Sequence, residues 1–165
     1  MLPFQFALEL EAALNNQITL LSANAGLVPS MTIISRFQQN FHTLLTAASA
    51  VNVDTHRYPA VDTAVLLGSD SDWQQLMARN KQETDPVSLP ALTALWSVYT
   101  LFDRSAQYYQ QAAANNPHPA TRLFFHSLAE TKKIMRGRLA GIIQSLLNHY
   151  WGQLGFAPFI LGKEG

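Results

Sequence analysis

Apolar residues recur at steps of three and four along four long segments of the chain, and this spacing constrains the fold more than any other feature. A step of three or four places residues on one face of an α-helix. The first segment carries the pattern at Phe4, Ala7, Leu10, Leu14, Ile18, Leu21 and Ala25. Because segments 30–51, 89–115 and 119–150 repeat it, the sequence predicts an all-α fold with four main helices, the first over 4–25.

The links between these helices predict how they are arranged. Short links join the first helix to the second and the third to the fourth, so each pair is expected to form an antiparallel hairpin. Residues 53–88 carry six of the eleven acidic residues and are predicted to cross between the hairpins, with a short helix near 71–77. Ser88 and Pro90 are typical of a helix start. Packing the hairpins together buries both apolar faces, which predicts one domain over 1–165, a four-helix bundle.

Composition argues against several classes of site and partner. The chain has no cysteine, which excludes disulfides, thiolate zinc sites, iron–sulfur clusters and cysteine nucleophiles. Its 11 basic residues balance its 11 acidic residues, whereas nucleic-acid binders are usually basic. No apolar run approaches the roughly 20 residues of a membrane-spanning helix, and Met1–Phe4 lacks the positive charge of a signal peptide. We therefore expect a cytoplasmic protein that binds neither nucleic acid nor membrane.

The second hairpin carries a family resemblance. Residues 101–113 contain two adjacent tyrosines followed by two alanines, and residues 123–130 end in Phe-x-x-Leu-Ala-Glu. These segments resemble the helix pairs of the ferritin-like, rubrerythrin-type family, and the first hairpin looks like a fainter copy. The resemblance implies a four-helix bundle that holds two metal ions. In that family two helices each give a Glu, and the other two each give a Glu-x-x-His.

In the first hairpin, the resemblance implies half of such a metal site. Glu11 stands on the apolar stripe of the first helix and should point inward, and the second helix offers His42. Gln39 stands where the family has a Glu three residues before that His. Glu11, Gln39 and His42 are therefore candidate ligands for a single iron, zinc or manganese ion. The alternative is a buried hydrogen-bonded trio, because a buried carboxylate needs a partner.

In the second hairpin, the ligands implied by the resemblance are missing. Phe102 stands where the third helix would supply a Glu, and Lys132 and Met135 stand where the fourth would supply Glu and His. No histidine of the chain has a carboxylate three residues before it. We expect that dinuclear iron chemistry has been lost and that core residues fill this half of the site.

Several other side chains allow both a structural and a functional interpretation. The basic run Lys132–Arg138 is expected to be a solvated face that pairs with the acidic crossover; a nucleic-acid patch is the alternative. His126 and Glu130 are expected to be a surface pair, and a surface metal site is the alternative. Core packing, or a pocket for a flat ligand, would explain the aromatic residues of the third helix: Trp96, Tyr99, Tyr108 and Tyr109.

Two classes of function remain open. The first is a ferritin-like structural or interaction protein that is not an enzyme and has no cofactor. The second is a protein that binds a metal ion or a small ligand, through Glu11 and His42 or through an apolar pocket of the bundle. The scarcity of ligands favours the first.

Sparse charge predicts self-association. Charged residues make up 13% of the chain, against about 25% in typical soluble domains. Gly137, Gly141 and Ser145 follow one another at four-residue spacing opposite the core stripe of the fourth helix, where small residues let another helix approach closely. We expect a homodimer built on this helix and the apolar tail Phe156–Leu161. The alternative is that the glycines accommodate the crossover or a bend.

Overall fold

Helices make up nearly all of the structure. The computed structural model describes residues 3–21, 28–50, 57–68, 70–82, 88–153 and 155. The helices in these ranges are α1 (Pro3–Leu21), α2 (Val28–Ser49), α3 (Thr63–Leu67), α4 (Asp70–Gln82), α5 (Leu89–Asn115) and α6 (Pro119–Gln153). These ranges contain no β-strand, so the predicted all-α class is confirmed. None of the helices described is both long enough and apolar enough to span a bilayer.

The four long helices lie close to the predicted segments. α5 begins and ends where the sequence predicts, and α6 continues three residues past the predicted end at 150. The predicted ends of the first two helices, at 25 and 51, fall outside the described residues. The start of α5 follows the predicted signal, because Ser88 Oγ accepts a hydrogen bond from the Ala91 N–H at 3.2 Å and Pro90 lies in the first turn.

The helices of each hairpin run antiparallel to each other, and the two hairpins surround a shared core. In the second hairpin, Asp103 of α5 pairs with Arg136 of α6, while Tyr109 stacks on Phe125 with ring centroids 6.1 Å apart. The contacts of α5 with α6 thus move back along α6 as they advance along α5, so these two helices are antiparallel. The core contains residues from the predicted apolar stripes of all four long helices, among them Leu14, Ile18, Ile34, Phe37, Phe41, Leu95, Phe102, Leu128, Met135, Leu139 and Ile142.

The crossover contains more helix than the short segment predicted near 71–77. Asp62 caps α3 by accepting hydrogen bonds from two backbone N–H groups of its first turn, and Gly68 ends it with a φ of 78°. The longer helix α4 follows and lies along α6 and α2. Trp73 anchors it, since this buried indole donates its N–H to the Leu67 carbonyl at 3.0 Å.

α4 also covers part of the α6 surface on which a dimer was predicted. A Cβ atom added at Gly141 would lie 3.9 Å from Met77 Cε of α4, whereas nothing lies within 4 Å of one added at Gly137. At Gly141 the crossover therefore already occupies the predicted dimer surface, at a distance that would also admit an alanine. The tail 156–161 lies outside the described residues, and the dimer stays a prediction.

Candidate functional site

Four polar side chains, one from each long helix, meet inside the apolar core. They are Glu11 of α1, Gln38 of α2, Tyr109 of α5 and Lys132 of α6, and each is 0% exposed. We refer to these four residues as the polar cluster. Because buried polar groups are costly unless they are hydrogen-bonded, their partners decide whether the arrangement is stable.

The Glu11 carboxylate is the centre of the polar cluster. Its Oε2 atom accepts hydrogen bonds from the Lys132 ammonium at 2.8 Å and from the Gln38 amide, and its Oε1 atom accepts one from the Tyr109 hydroxyl at 2.7 Å. The Gln38 carbonyl oxygen accepts a second hydrogen bond from Lys132 at 3.0 Å. Every side-chain oxygen of the cluster is therefore hydrogen-bonded.

Aromatic rings enclose the other side of the Lys132 ammonium. Its Nζ atom lies 4.2 Å from the ring centroid of Phe41, 5.0 Å from that of Phe102 and 5.5 Å from that of Phe37. A cation over an aromatic face is attracted by the ring quadrupole, by about 2 kcal/mol when desolvated. An ammonium has three donors. Two of these donors form hydrogen bonds with the oxygens of Glu11 and Gln38, and the aromatic rings lie against the rest of the ammonium group.

Helical spacing explains why these side chains point inward. Lys132 follows the buried Leu128 by four residues and precedes the buried Met135 by three, so it lies on the core stripe of α6. Gln38 precedes the buried Phe41 by three residues and shares its stripe on α2. The same period that builds the apolar core therefore carries the polar groups into it.

Burial shifts two pKa values of the polar cluster. Desolvation lowers the pKa of Lys132, and the neighbouring Glu11 carboxylate opposes this shift. The pKa of Tyr109 lies well above the usual 10.0, first because of desolvation and second because ionisation would place a phenolate beside the Glu11 carboxylate. The Tyr109 hydroxyl thus stays protonated and donates to Glu11.

The three predicted metal ligands differ in burial and do not meet at one site. Glu11 points inward, as predicted. Gln39 is exposed and His42 is half-buried, and Gln38 rather than Gln39 is hydrogen-bonded to Glu11. Nowhere in the described ranges do three His, Asp or Glu side chains come close enough together to hold a metal ion.

The prediction that the basic run is a solvated face is wrong for Lys132. The run lies in two environments, because Lys132 and Met135 face the core while its other basic residues face outward. Arg138 pairs with Asp70 of the crossover at 3.0 Å, as expected. Lys133 pairs with Glu130 at 3.1 Å on the surface of α6. The run therefore divides into one buried cation and several surface pairs.

Sequence reasoning missed three members of the polar cluster, although signals for them existed. Lys132 and Gln38 lie at core positions of the helical period, where a polar residue requires a partner. Core packing predicts an inward Tyr109, but a buried tyrosine hydroxyl also needs an acceptor. An inward Glu11 itself calls for a buried cation. Phe102 and Met135, predicted to be core residues, are both 0% exposed.

Surface grooves lie away from the polar cluster. A groove of about 570 Å³ between α4 and α6 is lined by Trp73, Met77, Arg138 and neighbouring residues. A second of about 690 Å³ lies between α3 and α6, and a third of about 470 Å³ lies beside the α5–α6 turn. No member of the polar cluster lines any of these three grooves.

Comparison with known proteins adds no family to this geometry. No family model, no curated protein and no solved structure matches the chain.

Proposed function

We propose that the chain is a ferritin-like four-helix bundle in which a lysine ammonium stands where that family holds metal ions, and that it serves as a structural or interaction module rather than an enzyme. The observation that carries the proposal is the buried ion pair of Lys132 with Glu11, with Nζ and Oε2 2.8 Å apart.

The charge balance of the polar cluster argues against a bound metal ion. The cluster holds one carboxylate, and the Lys132 ammonium already neutralises it. A divalent cation added there would leave two positive charges uncompensated in the core, which is strongly unfavourable. The bond between zinc and a carboxylate oxygen is about 2.0–2.2 Å long. The oxygens of Glu11 and Gln38 lie 2.8 and 3.0 Å from Nζ, the usual range for an ammonium.

The position of the cluster supports the ferritin-like interpretation. The order of hairpin, crossover and hairpin agrees with the arrangement that the resemblance implies. Three of the positions that it assigns to ligands meet: Glu11 is bonded to Lys132, and Nζ lies 5.0 Å from the Phe102 ring. The match fails on α2, where Gln38 takes the place expected for Gln39, one residue or about 100° around the helix.

The absence of access argues against catalysis at the cluster. A catalytic acid, base or nucleophile must come within hydrogen-bonding distance of its substrate. Lys132, Glu11 and Tyr109 are each 0% exposed. We assign the cluster a structural role, which is to fix how the four helices align.

Elemental analysis of freshly purified protein tests this proposal. Protein produced in medium supplemented with iron, zinc and manganese should retain well below one metal ion per chain. Adding the same ions should leave the melting temperature unchanged, because a ligand that binds the folded state raises it. The Lys132→Glu variant supplies a second carboxylate in place of the ammonium, so zinc or manganese should raise its melting temperature. Lys133→Glu on the surface is the matched control.

One metal ion per chain in the wild type, lost in Glu11→Gln, would contradict the proposal. Loss of that ion in His42→Ala as well would support the alternative class, a metal-binding protein that uses Glu11 and His42. Two iron ions per chain would restore the dinuclear interpretation.

A further inference from the structure

The amine of Lys132 and the amide of Gln38 meet inside the polar cluster in an arrangement that suits a reaction between them. The Lys132 Nζ atom lies 3.0 Å from the Gln38 Oε1 atom. Because a carbonyl bond is about 1.23 Å long, the carbonyl carbon of Gln38 lies at most about 4.2 Å from Nζ. Reacting atoms about 3–3.5 Å apart are in position for attack. Rotation about the side-chain bonds of Lys132 can close the remaining distance.

Glu11 contacts both nitrogen atoms that such a reaction changes. Its Oε2 atom accepts one hydrogen bond from Lys132 Nζ at 2.8 Å and another from the amide nitrogen of Gln38. A lysine ammonium has only donors and a carboxylate has only acceptors, so the amide turns its oxygen to Lys132 and its nitrogen to Glu11. One carboxylate oxygen can therefore take a proton from the attacking nitrogen and give one to the leaving nitrogen, as general base and then general acid.

The surroundings of the polar cluster favour this reaction over its competitors. Tyr109 donates to Glu11 Oε1 at 2.7 Å, which leaves Oε2 turned toward the two nitrogen atoms. Desolvation lowers the pKa of Lys132, which makes the neutral and nucleophilic amine easier to reach. Water is the competing nucleophile, and each member of the cluster is 0% exposed. Burial, which prevents a substrate from entering, is no obstacle when both reactants belong to the chain.

We propose that the polar cluster is a self-modification site, at which Lys132 and Gln38 form an isopeptide bond that ties α6 to α2. Glu11 takes one proton from the ammonium, and the neutral amine attacks the carbonyl carbon of Gln38 to form a bond between Nζ and that carbon. Glu11 then gives its proton to the amide nitrogen and takes a second proton from Nζ. The bond between the carbonyl carbon and the amide nitrogen breaks, and ammonia leaves.

This reaction balances without an oxidant or a cofactor, and it removes the charges from the core. The new amide keeps one proton, Glu11 keeps one as a carboxylic acid, and three leave with ammonia. Neutral groups thus replace an ion pair whose burial costs desolvation energy. The ion pair is the state in which the chain folds and to which the charge balance above applies, and the bond forms from that state afterwards.

The isopeptide bond goes beyond the proposed structural role and fails separately from it. It depends on the contacts of Gln38, Glu11 and Lys132, and not on the ferritin-like interpretation or on the metal content. The linked residues are 94 apart in the sequence, and a cross-link that closes a long loop restricts the unfolded chain strongly. A linked chain should therefore melt at a higher temperature than an unlinked one.

Intact-mass spectrometry tests whether the bond forms. Wild-type protein kept folded for a week at physiological temperature should lose the mass of one ammonia molecule. The Lys132→Arg variant keeps the positive charge without the amine nucleophile and should keep its full mass, whereas the surface control Lys133→Arg should lose ammonia as the wild type does. Glu11→Gln keeps the shape of the side chain without the base and should slow the loss about 100-fold or more. Circular dichroism checks that each variant is folded.

Tryptic mapping of the aged protein locates the bond. Trypsin releases the peptide 37–57, which contains Gln38, and it normally cleaves after Lys132. A linked Lys132 resists cleavage, so peptides 37–57 and 123–133 should appear as one species that is lighter than their sum by one ammonia molecule. Fragmentation distinguishes Gln38 from its neighbour Gln39. The variant Gln38→Leu should lose this species, and the matched control Gln39→Leu should keep it.

Three results would overturn the proposal. A wild type that stays folded and keeps its full mass after the week rejects the reaction. Loss of one water molecule, with the link at residue 11, would make Glu11 the group attacked rather than the base. Loss of ammonia that persists in Lys132→Arg would come from another amide of the chain. Each of these results leaves the metal content, and with it the proposed function, to be decided by elemental analysis.

Discussion

The two ends of the four-helix core differ in their chemistry. The segments 12–21, 28–35, 89–102 and 139–153 contain no Asp, Glu, Lys or Arg and form the uncharged end, and the segments 3–11, 36–49, 103–115 and 119–138 form the charged end. The uncharged end is held by apolar side chains such as Ile18, Ile34, Leu95 and Ile142, each at most 1% exposed. Across the described residues, every buried polar side chain of the long helices lies at the charged end. Apolar contacts are non-directional, whereas the bonds of Glu11 form at one alignment of the helices. Both ends bury apolar side chains, and the charged end adds hydrogen bonds that select the register of the helices.

The largest effect is expected from removing the cation of the charged end. Lys132→Met keeps an apolar stem but leaves the Glu11 carboxylate buried without its ammonium, which should lower the free energy of unfolding by about 3–5 kcal/mol. Urea denaturation followed by circular dichroism measures the change. The neighbouring variant Lys133→Met changes a surface side chain and should stay within about 0.5 kcal/mol of wild type. Equal losses in both variants would remove the distinction between buried and surface lysines.

A smaller loss is expected from the tyrosine of the cluster. Tyr109→Phe keeps the ring and deletes the hydroxyl that donates to Glu11 at 2.7 Å, so it should cost about 1.5–3 kcal/mol near neutral pH. Removing the hydroxyl of the half-buried Tyr108 is the control and should cost less. Chemical denaturation of both variants gives the two values, and a larger loss for Tyr108→Phe would contradict the assignment.

Alkaline pH should sharpen the contrast between Tyr109 and other tyrosines. The pKa of Tyr109 is raised in the folded state, so above about pH 10 the unfolded chain releases a proton that the folded chain keeps. Wild-type stability should then fall by up to about 1.4 kcal/mol per pH unit from this group. Lys132 acts in the opposite direction, because its lowered pKa lets the folded chain release that proton at a lower pH than the unfolded chain does, so this group raises stability as pH increases. The Tyr109→Phe variant should show a shallower alkaline decline, and an equally steep one would contradict this linkage.

A double variant makes the core of the charged end more like that of the uncharged end. Glu11→Leu combined with Lys132→Met removes both charges, so its loss should be smaller than the sum of the single losses by about 0.5–3 kcal/mol. A double-mutant cycle from urea denaturation measures this coupling. Strict additivity would mean that the pair does not act as a unit.

The smallest effect compares one glycine from each end. Gly137→Ala on the exposed face of α6 should stabilise the chain by about 0.5–1 kcal/mol, because alanine is the better helix former. Gly141→Ala, whose Cβ meets Met77 of α4 at an ordinary contact distance, should gain a similar amount. Melting temperatures measure both changes. A loss at Gly141 alone would show that α4 needs a glycine there.

Local features of the sequence predict more of this molecule than long-range ones. The helical period fixes α5 and α6 to within a few residues, and Ser88 marks the start of α5, because both signals depend on neighbours along the chain. Glu11 is inward for the same reason. The choice of Gln38 over Gln39 depends on which face of α2 meets α1, and a one-residue error turns a side chain by about 100°. The course of α4 over Gly141 depends on contacts far apart in sequence.

The attachment of the core cation to α6 has a thermodynamic consequence. A bundle tied by a bound ion exchanges that ion with solution, so its integrity follows the supply of ion and yields to chelators. The Lys132 ammonium is a covalent part of the chain and reaches Glu11 whenever the helices assemble. It carries no translational entropy to lose, and immobilising the lysine side chain costs about 1.5–2 kcal/mol instead. The core cation of this protein is thus supplied at translation, in a ratio of one to one with the chain, whatever the ionic content of its surroundings.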